Sequence, residues 1–357
     1  MGPERQRMKI SRPRRVRSAA TIVAILGLIL SLQVLPAKAS RARVDLDVCG
    51  GRGVISAARL PSRVSPRACE LIGRYVQSGT VKLQVPPPGE SVGAAAVSIA
   101  GESELVITTE SDGDVLIDGG ESETGSSVAA LSTEPCDVHG IVGCLAPCSD
   151  GNYNTYSGNP RVKVKQPWFF KAASTPGTLT RKQALTHIKK GTQNVVNGNN
   201  DCALPDPVGK TSPYKGKTSK GTRISIAGSG PTRHHDCGPS DSKNVVDFGA
   251  LISPTLGLAC WRSQSTTGPS GPWFIVEADI RLLKSAPWAL NPDDPACTTG
   301  VDLQGVMTHE RGHAFGLAHA DAPVAHTQQT MYPSTFPCTS YARTLGLGDH
   351  SALAFLY

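Results

Sequence analysis

Short apolar runs separated by polar residues dominate the chain from residue 40 to about residue 145. Examples are residues 81–85, 94–99 and 104–109, which are interrupted by Gly, Ser and Pro. Runs of this length and composition predict β-strands. The pattern therefore predicts a small β-rich region over residues 40–145, and it leaves open whether this region is retained or removed as a propeptide.

The pattern changes near residue 146, where helical periodicity joins the apolar runs. Apolar side chains recur at helical spacing over residues 178–196, and Thr180 followed three residues later by Gln183 is typical of a helix start. Four later runs predict strands: residues 224–227, 244–251, 258–261 and 274–283. A helix, a long loop and a terminal helix over residues 349–357 follow. This order predicts an α+β fold with a mixed sheet over residues 146–357.

Basic residues are concentrated at the amino terminus. Residues 1–39 contain eight Lys and Arg against one Glu, a net charge of +7, which equals the formal charge of the whole chain. The chain from residue 40 onward is therefore neutral overall. Since binding to nucleic acid depends on a basic surface, no nucleic-acid partner is expected.

An uncharged stretch, residues 18–37, follows the basic start, and Ala37-Lys38-Ala39 then fits the small-x-small rule for signal peptidase. We therefore predict a signal peptide over residues 1–39 and a secreted, extracellular protein. The alternative is an uncleaved anchor, because the stretch is near the lower length limit for spanning a membrane. Stable membrane association is expected only in that case.

All ten cysteines lie beyond residue 39, and their number is even. In an exported chain this predicts disulfides formed in an oxidising compartment. Cys297 and Cys338 bracket residues 308–333, so a disulfide between them would hold that loop in place. Cys237 with Cys260 is a comparable pairing between neighbouring predicted strands, and the spacing alone decides neither.

The stretch THERGHAFGLAHAD, which begins at residue 308, carries three histidines at regular spacing. His309 and His313 are four residues apart, so on a helix both rings face the same way and can share one ion. Gly316 allows the chain to leave the helix, and the turned chain can return His319 as a third ligand. Three neutral nitrogen donors leave a fourth position for water, which predicts one catalytic Zn²⁺ ion.

Glu310 is adjacent to the first histidine in the sequence, so its side chain points beside the metal rather than at it. From that position a carboxylate can take a proton from water and later pass it to a leaving amine. The sequence therefore predicts Glu310 as the catalytic residue.

The order HExxHxxGxxH resembles the signature of the metzincin zinc peptidases. In that superfamily a methionine in a tight turn lies beneath the metal, and Met331 follows the third histidine by a loop of suitable length. Met331-Tyr332-Pro333 looks most like the matrixin branch, and residues 343–349 with the final Leu-Tyr resemble the last helix of secreted bacterial matrixin-like enzymes. In that branch the residues after the methionine wall the pocket for the side chain that follows the cut bond.

The resemblance covers roughly residues 148–357, and within it residues 274–280 resemble the matrixin strand that pairs with extended substrate. It implies a metzincin-like domain with a mixed twisted sheet, an active-site helix, a methionine turn and a C-terminal helix, preceded by the β-rich region. The implied activity is that of a secreted zinc endopeptidase acting on a protein or peptide substrate. The alternative is an extracellular binding or adhesion protein with a vestigial zinc domain.

Two departures from the matrixin pattern are visible. The sequence His234-His235-Asp236 is the candidate for a second, structural zinc site, but its spacing does not match, so exposed loop residues are expected. Cys69 resembles the prosegment cysteine that silences zinc in matrixins, but the context differs and a disulfide with Cys49 is favoured.

Calcium is a weaker expectation. Asp112 and Asp114 lie in an acidic, glycine-rich turn and could bind Ca²⁺. The other ligands of a calcium loop are missing from the spacing, which favours a solvated turn.

Overall fold

The computed structural model describes residues 49, 51, 53–100, 103–119, 143–266, 271–321 and 323–357. These residues all belong to the compact unit Ala42–Tyr357. The predicted signal peptide, residues 1–39, lies outside them.

The described chain is mixed α+β and consists mostly of sheet, which confirms the predicted class at that level. Its three helices are α1 (Arg181–Val196), α2 (Leu303–Ala314) and α3 (Leu347–Leu356). Its strands are β1 Ile55–Ser56, β2 Arg63–Val64, β3 Tyr75–Ser78, β4 Val81–Gln84, β5 Glu90–Ser98, β6 Ser103–Thr109, β7 Val115–Asp118, β8 Trp168–Phe170, β9 Tyr214–Lys217, β10 Ile224–Ala227, β11 His234–Cys237, β12 Asn244–Gly249, β13 Thr255–Ser265, β14 Trp273–Leu283, β15 Trp288–Ala289 and β16 Val301–Asp302.

Nine strands form the main sheet, in the order β2-β7-β6-β5-β13-β14-β12-β8-β9. Strands β8, β9, β12 and β14 are linked by parallel pairings, whereas β13 is antiparallel to both β14 and β5. A second sheet has the order β1-β3-β4-β11-β10. Both sheets join strands from before and after residue 145.

Strand β14 has a partner on each side, β13 and β12. Residues 274–280, which resemble the matrixin strand that pairs with substrate, therefore have no free edge in the described structure. The neighbouring strand β13 also has both edges filled, because β5 pairs with it from Glu90 to Ser98.

Helix α1 begins as its sequence predicts: the Thr180 side chain accepts a hydrogen bond from the Gln183 amide, and the Gln183 side chain reaches back to the Thr180 amide. It packs closely on α2, since a Cβ added at Gly191 would lie 2.8 Å from Cβ of Met307. Asp302 caps α2, and all twelve residues of that helix are buried. The terminal helix begins at Leu347, two residues earlier than predicted, because Gly346 is its N-cap residue.

Disulfides stabilise the described chain at four places, namely Cys49–Cys69, Cys148–Cys202, Cys237–Cys260 and Cys297–Cys338. Three of these pairings are the ones considered from the sequence, and Cys148–Cys202 is new. Cys69 is bonded to Cys49, so its thiol is not available to bind a metal. Four disulfides indicate an oxidising environment such as the extracellular space.

No helix among the described residues has the length and apolar character needed to cross a membrane.

Candidate metal centre

Helix α2 and the turn after it bring three histidines together. His309 and His313 lie one helical turn apart on α2, and the chain leaves the helix at Gly316, whose φ is +99°. A Cβ at Gly316 would collide with the carbonyl oxygen of Pro160, so only glycine fits this turn. The turned chain returns His319 to the group, as the spacing predicts.

The three imidazoles converge through their Nε2 atoms. The Nε2 atoms of His309 and His313 are 3.0 Å apart, and those of His309 and His319 are 3.2 Å apart. Tetrahedral nitrogen ligands at ordinary zinc distances lie about 3.3 Å from one another. The group could therefore hold one metal ion without rearrangement.

Backbone carbonyls fix the tautomer of two rings. Nδ1 of His309 lies 2.7 Å from the Thr330 oxygen, and Nδ1 of His313 lies 2.9 Å from the Leu317 oxygen. Each Nδ1 must carry the hydrogen, because a carbonyl can only accept. Burial lowers the pKa of both histidines well below the usual value. Both Nε2 atoms then present lone pairs to one another, an arrangement that suits a cation between them.

Glu310 is fully buried between α2 and the sheet. Its Oε1 atom accepts a hydrogen bond from the Val97 amide at 3.1 Å, whereas Oε2 has no hydrogen-bond partner among the described residues. Burial raises the pKa of Glu310 to about 8. Strand β13 makes room for this side chain at Gly257, where a Cβ would lie 2.5 Å from Oε1. The carboxyl is thus placed by two strands as well as by its own helix.

Met331 lies against the same helix. It is buried, and a Cβ at Gly312 would collide with its sulfur atom. The turn is held by Asp349, whose carboxylate accepts hydrogen bonds from the amides of Thr330 (2.7 Å) and Met331 (3.1 Å). Burial raises the pKa of Asp349 to about 6. Helix α3 therefore holds the methionine turn in place, and the Thr330 carbonyl of that turn accepts a hydrogen bond from His309.

Tyr332 and Pro333 continue from the turn into a narrow pocket beside the histidines. The pocket is lined by Val97, Gly305, Val306, His309, Thr330, Tyr332, Ser334, Thr335, Tyr341 and Ala342. The Pro333 oxygen accepts from the Ser98 amide at 3.2 Å, and the Ser98 oxygen accepts from the Thr335 amide at 2.8 Å. The end of β5 is therefore hydrogen-bonded into this wall.

Strand β5 lies across the metal centre. It is antiparallel to β13 on one edge, and its other edge pairs with β6 over Glu90–Ala96 and forms a parallel bridge between Ser98 and Ser334 at its end. Eight of its nine residues are buried. The three histidines are at most 3% exposed. An extended segment of this same chain thus covers the site.

Glu104 and Tyr156 are close to the histidines, although sequence reasoning missed both. An oxygen of Glu104 lies 3.3 Å from Nδ1 of His319, and the Tyr156 hydroxyl lies 2.9 Å from Nδ1 of His313. Burial raises the pKa of Glu104, but His319 and the hydroxyl of Tyr156 together hold it below its usual range. Neither residue belongs to a motif, so no local signal could have found them.

Two other expectations concern possible metal sites. His234 and His235 are buried on β11 rather than exposed in a loop, and burial lowers the pKa of His235 to about 4. Strand β11 has a neighbouring strand on each side, β4 and β10, and so does not lie in an exposed loop. In the acidic turn for which a solvated conformation was favoured over a calcium site, the carboxylates of Glu110, Asp112 and Asp114 lie close together, and Arg63 pairs with the first and last of them.

No known family model and no curated protein matches the chain. The described structure accordingly defines the protein only as a disulfide-bonded α+β chain with a buried three-histidine group that could hold a metal ion.

Proposed function

We propose that this chain is a secreted zinc-dependent endopeptidase of the metzincin type. The observation that carries the proposal is the convergence of three Nε2 atoms beside a buried, partly unpaired carboxyl, that of Glu310. Three nitrogen donors suit zinc among the common metals, and the arrangement leaves a ligand position open. Glu310 bonds the Val97 amide and, in the part of the chain that the structure describes, none of the three histidines, so a role in orienting their rings does not explain it.

Zinc, when bound, supplies a Lewis acid that polarises a carbonyl and lowers the pKa of water. The chain supplies the proton carrier. Glu310 takes a proton from the attacking water and passes it to the nitrogen of the leaving amine. The hydrogen bond from the Val97 amide to Oε1 supports this role, because it shows that a peptide N–H can reach this carboxyl.

The path of a substrate is suggested by β5 itself. An extended peptide could pair with β13 on one side and with residues 333–335 on the other, as β5 does. The side chain after the cut bond would enter the pocket beside Tyr332, where Val97 now lies. Since β5 fills this path, we propose that the described form is latent and that hydrolysis requires β5 to leave β13.

The alternative is an extracellular binding protein in which the metal is structural. The burial of all three histidines favours it, because a catalytic ion needs access to substrate. The two functions differ in what happens after β5 is released. Only the peptidase gains an activity that depends on Glu310.

The test uses the chain from Ser40 with a recognition sequence for a site-specific protease inserted within residues 120–142. Hydrolysis of an unfolded protein is measured before and after cutting, with and without a zinc chelator, beside Glu310→Gln. Glu277→Gln is the matched control, because Glu277 is also buried in the sheet but bonds Ser240 and Ser242 instead.

We expect hydrolysis after cutting that is lost with chelator and in Glu310→Gln but kept in Glu277→Gln. A cut chain that binds zinc and hydrolyses nothing would contradict the peptidase proposal and favour the binding protein.

A further inference from the structure

Two buried groups from outside the histidine stretch contact the backs of the histidine rings. Glu104 lies on β6 and is 9% exposed, and its Oε2 atom is 3.3 Å from Nδ1 of His319. Its Oε1 atom accepts a hydrogen bond of 2.5 Å from the Tyr156 hydroxyl. That hydroxyl oxygen is also 2.9 Å from Nδ1 of His313. One carboxylate and one hydroxyl therefore connect two of the three rings.

The hydrogens in this group can be assigned from donor chemistry. The single Tyr156 hydrogen goes to Glu104, so the hydroxyl oxygen can accept and shares Nδ1–H of His313 with the Leu317 carbonyl. His319 faces the carboxylate through Nδ1, and a carboxylate only accepts. Both rings then carry their hydrogen on Nδ1 and keep the Nε2 lone pair. That is the tautomer required for a metal bound at Nε2.

We propose that Glu104 and Tyr156 are positioning residues of the metal centre: Glu104 fixes the tautomer and orientation of His319, and Tyr156 helps to orient His313, whose tautomer the Leu317 carbonyl already fixes. The inference rests on the metal site of the proposed function but not on peptide hydrolysis. It assigns a role in metal binding to a residue that lies more than 200 positions before its histidine partner in the chain.

The charge of Glu104 supports this role over a purely structural one. In the part of the chain that the structure describes, Glu104 has no Lys or Arg partner, and its side chain contacts Tyr156 and His319. Burying a carboxylate without a cation is unfavourable. A metal ion on the far side of the His319 ring would add positive charge near this carboxylate.

Glu104 also connects the two regions predicted from the sequence. Strand β6 pairs with β5, the strand that covers the site, in an antiparallel hairpin. The hairpin that closes the proposed substrate path therefore also helps to hold the metal. Removing residues 40–119 would open the site and at the same time take away a support of His319.

The test measures zinc affinity of the uncut chain from Ser40 by competition with a chromogenic chelator. The variants are Glu104→Gln, which keeps shape but not charge, and Tyr156→Phe, which keeps the ring packed on Trp261 at 4.8 Å. Thr108→Val is the control, because Thr108 is buried on the same face of β6 and bonds Ser91 rather than a histidine.

We expect zinc affinity to fall by about 10- to 100-fold in Glu104→Gln and by about 10-fold in Tyr156→Phe, with Thr108→Val within about 2-fold of the parent. Nitrogen chemical shifts of the metal-free protein give a second readout. They should show hydrogen on Nδ1 of His319 in the parent and a mixture of tautomers in Glu104→Gln. A structural role alone would lower the melting temperature and leave both readouts unchanged.

Zinc affinity within about 2-fold of the parent in both folded variants, with unchanged tautomers, would overturn the inference. If Glu104→Gln does not fold, the zinc affinity of Tyr156→Phe decides alone. No peptide substrate enters these measurements. A chain that binds zinc through Glu104 and cuts nothing would therefore leave this inference intact and contradict only the peptidase.

Discussion

Replacing Gly257 on β13 tests the proposed catalytic role of Glu310 separately from metal binding by the histidines. Alanine in place of Gly257 puts a Cβ 2.5 Å from Oε1, 2.8 Å from Cγ and 3.0 Å from Cδ of Glu310. Each of these distances is shorter than an ordinary van der Waals contact. Because Glu310 is fully buried and held by the Val97 amide, its carboxyl must move by about 1 Å.

A displacement of about 1 Å in a catalytic group can cost about 100-fold in rate, or about 2.7 kcal/mol in the activation barrier. The same overpacking should lower the free energy of unfolding by about 1–3 kcal/mol. Zinc affinity should stay within about 3-fold of the parent, since the three nearest atoms to the new methyl group all belong to Glu310.

The assay compares kcat/KM on an unfolded protein, zinc affinity and urea unfolding, using the chain opened within residues 120–142. Gly249→Ala is the matched control, because its Cβ would lie 2.6 Å from Nε of Arg281, in the same sheet but away from the histidines. A Gly257→Ala variant with parental kcat/KM would refute the assignment of Glu310 as the base. Equal losses of activity in both variants would point to general damage to the sheet instead.

Three further predictions concern stability and pH. Gly316→Ala should lower the free energy of unfolding by about 3 kcal/mol in urea and weaken zinc binding more than 10-fold, because φ is +99° and the Pro160 oxygen blocks the methyl group. Unchanged zinc affinity would contradict this role of the turn. Burial raises the pKa of Asp279 from 3.8 to about 7, so its protonated form favours the folded state and stability should fall by about 4 kcal/mol as pH rises from 4 to 7. In Asp279→Asn that part of the pH dependence should disappear. If the free energy of unfolding of the variant still falls by the same amount between pH 4 and 7, Asp279 is not the group responsible. Replacing Cys297 and Cys338 by serine removes a disulfide that joins residues 41 positions apart, and should lower the free energy of unfolding in urea by about 3–4 kcal/mol. A decrease below about 1 kcal/mol would contradict this stabilising role of the disulfide.

Local spacing accounts for the parts of the site that were predictable. Two histidines four residues apart share a helix face whatever the rest of the fold does, and the glycine after them marks where the helix must end. The capping pair Thr180 and Gln183 is equally local. The α+β class follows from the order of such segments.

The position of β5 over the histidines could not be predicted from residue spacing. Strand β5 pairs with β13 across more than 150 residues, and pairing between distant strands is set by the whole sheet rather than by local pattern. One signal was present: residues 92–97 are an unbroken run of small and apolar residues, which is typical of a strand buried on both faces. Glu104 could be placed only once that pairing was known.

In these proposals the β5–β6 hairpin has two roles: β5 closes the substrate path, and Glu104 on β6 supports His319. The site could therefore open in two ways that differ in their effect on zinc affinity. If β5 separates from β13 but Glu104 keeps its contacts with Tyr156 and His319, zinc affinity is kept. If residues 40–119 leave altogether, His319 loses its carboxylate, and zinc affinity should fall by the factor found for Glu104→Gln. Measuring zinc affinity before and after cutting within residues 120–142, in the parent and in Glu104→Gln, separates the two. A loss on cutting in the parent but not in the variant identifies complete release, and no loss in either identifies local opening of β5.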